Sequence, residues 1–243
     1  MQLSDEKCVL VTPGYSDAAG NLSVLGIFVL FQDLASEHAE KIGTGGAAMA
    51  ERGLFWLTVR TRIRFYERPA MMEEVLLETW LARFQTSDVR TNRYYRMTGG
   101  GRLLAEGKTE WAVLRLGDQS VGRIGEAGVP EELAFRDEIV CPEPFTRFRT
   151  AFTEEDRQED HRVRASDIDM GHHMNNTAYV RALLDTFPAR ELATMPVREL
   201  EICFRAPCYD GETLPVYRRR QETGWEFAIH RPDGKPAALA RLL

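Results

Sequence analysis

Phe55-Trp56-Leu57-Thr58-Val59-Arg60-Thr61-Arg62-Ile63-Arg64-Phe65-Tyr66 repeats with a period of two. Phe55, Leu57, Val59, Thr61, Ile63 and Phe65 fall on one face, and Trp56, Thr58, Arg60, Arg62, Arg64 and Tyr66 on the other. That alternation predicts a strand with one face on a core. The residues before it follow a different rule. Over 24–42, Ile27, Leu30, Phe31, Leu34, His38 and Ile42 recur at intervals of three and four, which predicts an amphipathic helix. Gly43, Gly45 and Gly46 follow directly and suit a helix stop, because glycine takes the left-handed conformation that often ends a helix. A short strand is expected before the helix, at 8–11.

Beyond residue 66, three further strands are expected at 74–84, 89–97 and 102–116, with Gly99, Gly100 and Gly101 as the turn joining the last two. The first half is therefore one helix followed by an antiparallel sheet. Residues 117–144 carry three prolines and several acidic side chains without sustained periodicity, which suits a connection running over the surface. The boundary falls there, giving units 1–130 and 145–243. In the second unit the order of elements repeats. Residues 148–163 read as partly extended, 177–192 as helical, and strands as starting near Val197, Thr213, Trp225 and Ala237. The repeat is one of pattern, without residue-by-residue identity.

The chain has 243 residues, 44% of them hydrophobic and 28% charged, enough apolar side chains for a core in each half. Its longest apolar run, 24–31, is closed by Gln32 and Asp33. A membrane span needs about 20 apolar residues, so none is expected. The opening residues lack the basic region and apolar stretch of a secretory signal, and Cys8, Cys141, Cys203 and Cys208 do not form a disulfide framework. A cytoplasmic location is the expectation. A net charge of −6 argues against broad nucleic-acid binding, which needs a concentrated basic surface. Only four of the 31 basic residues are lysines. Arginines cluster at Arg60, Arg62, Arg64 and Arg68 and at Arg218, Arg219 and Arg220, either through arginine-favouring base composition or as a docking patch for an acidic partner.

The chemistry concentrates in Ser166-Asp167-Ile168-Asp169-Met170-Gly171-His172-His173-Met174-Asn175-Asn176-Thr177-Ala178-Tyr179, where carboxylates, imidazoles and amides stand just ahead of an expected helix. The first NH groups of a helix have no partner within it and carry the positive end of its dipole, so they suit a developing oxyanion. A thioester carbonyl is a fitting guest. An imidazole or carboxylate can activate water, or a carboxylate can attack and form an anhydride that water clears. The residues leave both routes open. Asp167, Asn175 and Asn176 also suit plain turn and N-cap roles.

The segment resembles the Asp-x-Asp-x-Asn-x-His-x-Asn-Asn-x-x-Tyr signature of acyl-acyl carrier protein (acyl-ACP) thioesterases from plant plastids and bacteria. Three stretches of the first half resemble the same family: Phe31-Gln32-Asp33-Leu34-Ala35-Ser36-Glu37-His38-Ala39, Glu78-Thr79-Trp80 and Gly107-Lys108-Thr109-Glu110-Trp111. The resemblance implies an α+β fold of two tandem hot dog domains, each a central helix wrapped by an antiparallel sheet. It places the acyl chain mainly in the first domain and catalysis in the second. It implies hydrolysis of a fatty acyl thioester carried by acyl carrier protein, with no metal and no organic cofactor.

Position by position, Asp169 and His173 match the family's catalytic Asp and His. Gly171 stands where its catalytic Asn is usual, so His172 or a backbone NH would have to substitute, with Asn175 and Asn176 completing the supporting or oxyanion region. Phe204-Arg205-Ala206-Pro207-Cys208 resembles the strand where plant members carry a catalytic Glu followed by Cys, and Pro207 takes the Glu position. Glu212, or Glu201 in a shifted register, is the substitute carboxylate, although Asp210-Gly211-Glu212 also reads as an ordinary turn.

The remaining candidates read as structure. His38 continues the apolar stripe of its helix, and Glu37 beside it does not share its face. Cys203, Cys208, His172 and His173 match no zinc spacing, and the Gly-x-Ser-x-Gly elbow is absent. Met49, Met71, Met72 and Met97, with Trp56, Trp80 and Trp111, are core or acyl-tunnel residues. Two functional classes remain: a hydrolase acting on acyl-ACP or acyl-CoA, and a protein that binds acyl carriers without turnover. Asp169 and His173 together favour the hydrolase. A monomer or a homodimer is compatible with two fused domains.

Overall fold

The computed structural model describes residues 4–130, 134–149 and 151–243. The first half runs β1 (Ser4–Leu10), α1 (Val24–Lys41), α2 (Gly46–Glu51), β2 (Leu54–Phe65), β3 (Glu74–Leu81), β4 (Thr91–Gly99) and β5 (Arg102–Arg115). The second runs β6 (His161–Arg162), α3 (Asn176–Leu184), α4 (Ala189–Thr194), β7 (Glu199–Phe204), β8 (Thr213–Leu214), β9 (Val216–Gln221), β10 (Gly224–His230) and β11 (Pro236–Leu242). Nine strands form one antiparallel sheet in the order β1-β3-β4-β5-β2-β7-β11-β10-β9, and β6 pairs with β8 apart from it. This is the expected α+β hot dog architecture, with a long helix lying against each half of the sheet. The halves are not separate sheets. β2 pairs with β7 from Arg60↔Cys203 to Arg64↔Glu199 and so welds them edge to edge.

α1 starts where Ser23 accepts a hydrogen bond from the Gly26 amide at 2.8 Å, an N-cap of the ordinary kind. Its buried face, from Ile27 through Phe31 and Leu34 to His38, lies on the first half-sheet. The buried face of α3 (Ala178, Tyr179, Val180, Ala182, Leu183, Leu184) lies on the second. Both belong to one continuous core, in which each fully buried large apolar side chain contributes about 1.5–3 kcal/mol. His38 is a core residue, with Nδ1 2.7 Å from the Arg93 guanidinium.

Two elements depart from the sequence expectation for local reasons. The alternation of β2 breaks at a bulge between Thr58 and Arg60, where Val59 has no partner on β5. Thr58 therefore joins Thr61 and Ile63 on the face towards α1, all three lining one cavity there. The helix expected at 177–192 is two helices, because Phe187-Pro188 interrupts it. Proline supplies no amide hydrogen for the Leu184 carbonyl four residues back, which accepts from the Phe187 amide at 3.0 Å instead. Residues 148–163 yield only the two-residue β6 as strand among those described.

On the sheet face away from the helices, the seam between the halves carries charge. Arg62 on β2 is 2% exposed and donates to Glu201 on β7, itself 0% exposed, through Nε at 2.9 Å and Nη2 at 2.6 Å. Arg241 Nη2 reaches the same carboxylate at 3.1 Å. The connection between the halves crosses this spot. Arg62 and Lys108 donate to the Glu143 carbonyl, Thr146 donates from its amide and hydroxyl to Glu201, and the Phe145 ring covers Arg62 and Lys108. Burial, then the Arg62 charge, pushes the Lys108 ammonium below its ordinary pKa.

Most arginines of the two runs are consequently not free for docking, Arg220, exposed over Trp225, being the exception. Arg60 pairs with Glu110, Arg62 with Glu201, Arg64 with Glu143 and Glu199, and Arg68 with Asp17. In the second run, Arg218 donates to the Thr186 carbonyl and lies over Phe187, and Arg219 pairs with Glu226. Arginine's planar fork suits such bidentate and stacked contacts, which is why these side chains are consumed internally.

Candidate active site

The segment 166–179 folds as a short turn, a tight loop and the first turns of α3. Asn175 caps the helix, its Oδ1 accepting from the Ala178 amide at 2.8 Å and from Thr177 Oγ1 at 2.5 Å. Asp167, buried ahead of the loop, accepts from the Arg164 amide at 2.9 Å, from His161 Nε2 at 3.0 Å and from Arg181. Burial pushes its carboxyl up, but the amide, His161 and Arg181 outweigh that and hold it below the usual carboxylate range. Asp167 thus anchors the loop to α3.

Within the loop, the Asp169 amide donates to the His173 carbonyl at 3.2 Å, the His172 amide to the Asp169 carbonyl at 3.0 Å, and Ile168 bridges to Met174. Closing so tight a loop puts His172 in the left-handed region at φ 60°, with its imidazole exposed. Asp169 and His173, being cross-loop partners, project from the same side. They converge over Gly171. A Cβ built there would lie 2.9 Å from His173 Nε2 and 3.0 Å from Asp169 Oδ1, and the Gly171 amide donates to that same oxygen at 2.8 Å.

The missing family asparagine is therefore a matter of space as well as chemistry. Gly171→Asn should displace the imidazole from its place over Gly171. Because His173 Nε2 is the end of a flexible side chain, the loss should appear in function rather than in folding. We predict a fall in kcat of about tenfold or more, with the melting temperature unchanged. Steady-state kinetics and a thermal melt of the purified variant check both.

The first half contributes to the site in ways the sequence did not signal. Phe55, at the start of β2, meets the His173 ring edge-on with centroids 5.9 Å apart. Met170 lies over Gly46 at the start of α2, where an added Cβ would be 3.3 Å from its sulfur. Nothing in the local pattern of Phe55 or Gly46 marks them, since both contacts are made across the seam.

The places suggested for the family's carboxylate hold no free acid. Pro207 lies beside the loop, where the Met174 amide donates to the Cys208 carbonyl at 2.8 Å and Tyr179 Oη donates to the Ala206 carbonyl at 3.2 Å. It is exposed and offers no polar side-chain atom. Glu212 accepts from the Tyr209 amide at 2.9 Å, an ordinary turn, and Glu201 belongs to the seam. Cys208 behind the loop is buried, which pushes its thiol up to about 11, away from thiolate chemistry. Asn176 begins α3, half-buried.

With this geometry in hand, comparison with known proteins is specific. Residues 6–128 match the N-terminal domain of the acyl-ACP thioesterase family and residues 150–238 its C-terminal domain. The chain belongs to the acyl-ACP thioesterase family. It is 25% identical over 208 residues to oleoyl-acyl carrier protein thioesterase 2 of Arabidopsis thaliana chloroplasts, a match covering 76% of this chain and 54% of that protein. This chain thus spans about half the length of the plant relatives it matches. An uncharacterized protein of Mycobacterium tuberculosis, Rv2001, is 24% identical over 234 residues, with 93% and 87% covered.

Among solved structures, an acyl-ACP thioesterase from Bacteroides thetaiotaomicron superposes with a TM-score of 0.85 at 19% identity, covering 99% of this chain and 97% of its own. The 12:0-ACP thioesterase from Umbellularia californica gives the same score at 17% identity, with 100% and 97% covered. At these identities the superpositions establish the fold.

Proposed function

We propose that this protein hydrolyses fatty acyl-ACP to free fatty acid and carrier, with Asp169 and His173 as its catalytic pair. The observation that carries this reading is their convergence over Gly171 in the loop ahead of α3, in a chain that belongs to this family. His173 Nδ1 faces the Met174 carbonyl at 3.4 Å, and the tautomer that donates there leaves the Nε2 lone pair free towards Asp169 and Gly171. His173 then takes the proton from water as it attacks the thioester carbon, and Asp169 stabilises the imidazolium. The first amides of α3 receive the developing oxyanion. Asn175 holds that end of the helix in place, Asn176 is its first residue, and His172 remains outside the proton path.

In this reading unit 145–243 carries the chemistry and unit 1–130 the acyl chain, which enters beneath α1. There Phe31 stacks on Tyr95 with centroids 4.9 Å apart at 12°. It also lies where a Cβ on Gly107 would touch its ring at 3.0 Å. The cavity left beneath the helix is only about 10 Å³. Phe31 therefore sets the depth available to the tail. Phe31→Leu should shift kcat/KM towards longer chains by about tenfold, the scale of one methylene in an apolar pocket. A panel of acyl-ACPs of graded length reads this directly.

Carrier preference tests the substrate class. Presented with the same acyl group on carrier protein and on coenzyme A, the enzyme should turn over the carrier form with a kcat/KM at least about tenfold higher. Equal rates on both carriers would place the activity on the acyl-pantetheine alone and identify a general acyl thioesterase.

A further inference from the structure

The catalytic loop has an internal counterpart in the first half, which repeats five of its hydrogen bonds. The Asp17 amide donates to the Asn21 carbonyl at 2.8 Å, as Asp169 does to His173. The Gly20 amide donates to the Asp17 carbonyl at 3.0 Å, as His172 does to Asp169, and Gly20 is left-handed like His172. The Ala19 amide donates to Asp17 Oδ1 at 2.9 Å, as Gly171 does to Asp169. The Leu22 amide donates to the Pro69 carbonyl at 2.8 Å, as Met174 does to Cys208, and Ser23 caps α1 as Asn175 caps α3. Between 17–23 and 169–175 the aspartate is the single identical residue. The duplication is one of backbone hydrogen bonding.

The copy keeps the frame and changes the chemistry. Asn21 stands where His173 stands, and an amide side chain cannot take a proton near neutral pH. Asp17 is bound at 2.6 Å by Arg68, next to Pro69 as Pro207 is next to Cys208, and the Arg68 guanidinium also donates to the Ala193 carbonyl at 3.0 Å. The loop opens onto a cavity of about 190 Å³ between α1, α3 and α4, much larger than the one beneath α1. Its walls are chiefly apolar, with Leu25, Leu184 and Leu192 among them, and Asp17, Arg68, Arg181 and Asp185 are its charged residues. Arg68 pairs with Asp17 and Arg181 with Asp167, and burial pushes the Asp185 carboxyl up towards its neutral form, so the polar side suits a neutral carbonyl, and the leucines suit the first carbons of a chain.

We propose that this cavity is a second acyl-thioester site, which binds the thioester end of an acyl-pantetheine without hydrolysing it. The proposal rests on the catalytic reading of the Asp169 loop, because the ligand class is taken from the loop it copies. The site would let one chain hold a second acyl carrier while the first is cleaved.

The test is calorimetric titration of the full chain with a non-hydrolysable acyl-pantetheine thioether, alongside thiol release from acyl-ACP. Wild type should bind two equivalents. Ala18→Trp and Ala189→Trp, exposed positions on opposite sides of the cavity rim, should each bind one while releasing thiol at the wild-type rate. One equivalent bound by a wild type that hydrolyses, or two retained by both tryptophan variants, would overturn the second site alone. Two equivalents bound by a protein that releases no thiol, falling to one in both tryptophan variants, would uphold the site and overturn the chemistry assigned to Asp169 and His173.

Discussion

His173→Ala should lower kcat for acyl-ACP hydrolysis by about 10²–10⁴-fold, the usual contribution of a general base, with little change in KM. Asp169→Ala should lose a comparable factor, and the double variant little more than the worse single one, since the two act as a unit. Folding should be indifferent. The His173 side chain makes one long contact to a carbonyl and one edge-on ring contact, so stability should move by no more than about 0.5–1 kcal/mol. Asp169 has a slightly larger structural share, because its carboxylate accepts the Gly171 amide. Asp169→Asn retains an acceptor for that bond while removing the charge, so it separates the two roles. Its kcat should fall while its melting temperature stays with wild type.

Arg62 shows the reverse pattern, a large effect on stability with no part in the chemistry. Arg62→Ala strands the fully buried Glu201 carboxylate at the seam where β2 meets β7, with only Thr146 and Arg241 left to answer it. Breaking a buried pair from one side costs about 3–5 kcal/mol, a large part of the stability of a typical domain. Denaturant titration should show a midpoint lowered accordingly. Arg62→Met combined with Glu201→Leu removes both charges and keeps most of the volume, so it should recover most of the loss. If the double variant were as unstable as Arg62→Ala, the pair would owe its effect to packing of the Phe145 segment rather than to a stranded charge.

What the sequence made legible was whatever depends on local period. The stripe of α1, the alternation after Ile63 in β2 and the cap at Asn175 can each be read from neighbours three or four residues apart, because one element supplies all the physics involved. The loop residues 169–173 were legible through their chemical types and through the family signature. The bulge at Val59 was not, since it is defined by pairing with β5, and the break at Phe187-Pro188 is masked by the apolar spacing that continues across it.

Contacts across the seam lay furthest from view. Phe55 on His173, Met170 on Gly46 and Arg62 on Glu201 join residues more than a hundred positions apart, and each looks ordinary in its own neighbourhood. The arginine runs show the same limit from the other side. Their charges suggested an outward-facing patch, whereas pairing across strands turns most of them inward or onto neighbours.

Whether Asp169 and His173 cleave the acyl thioester is read most simply from free-thiol release from acyl-ACP by wild type, Asp169→Asn and His173→Ala at equal concentration. Wild type should release thiol steadily, and both variants should lose nearly all release with melting temperatures preserved. Release by His173→Ala at the wild-type rate would remove the pair from the chemistry.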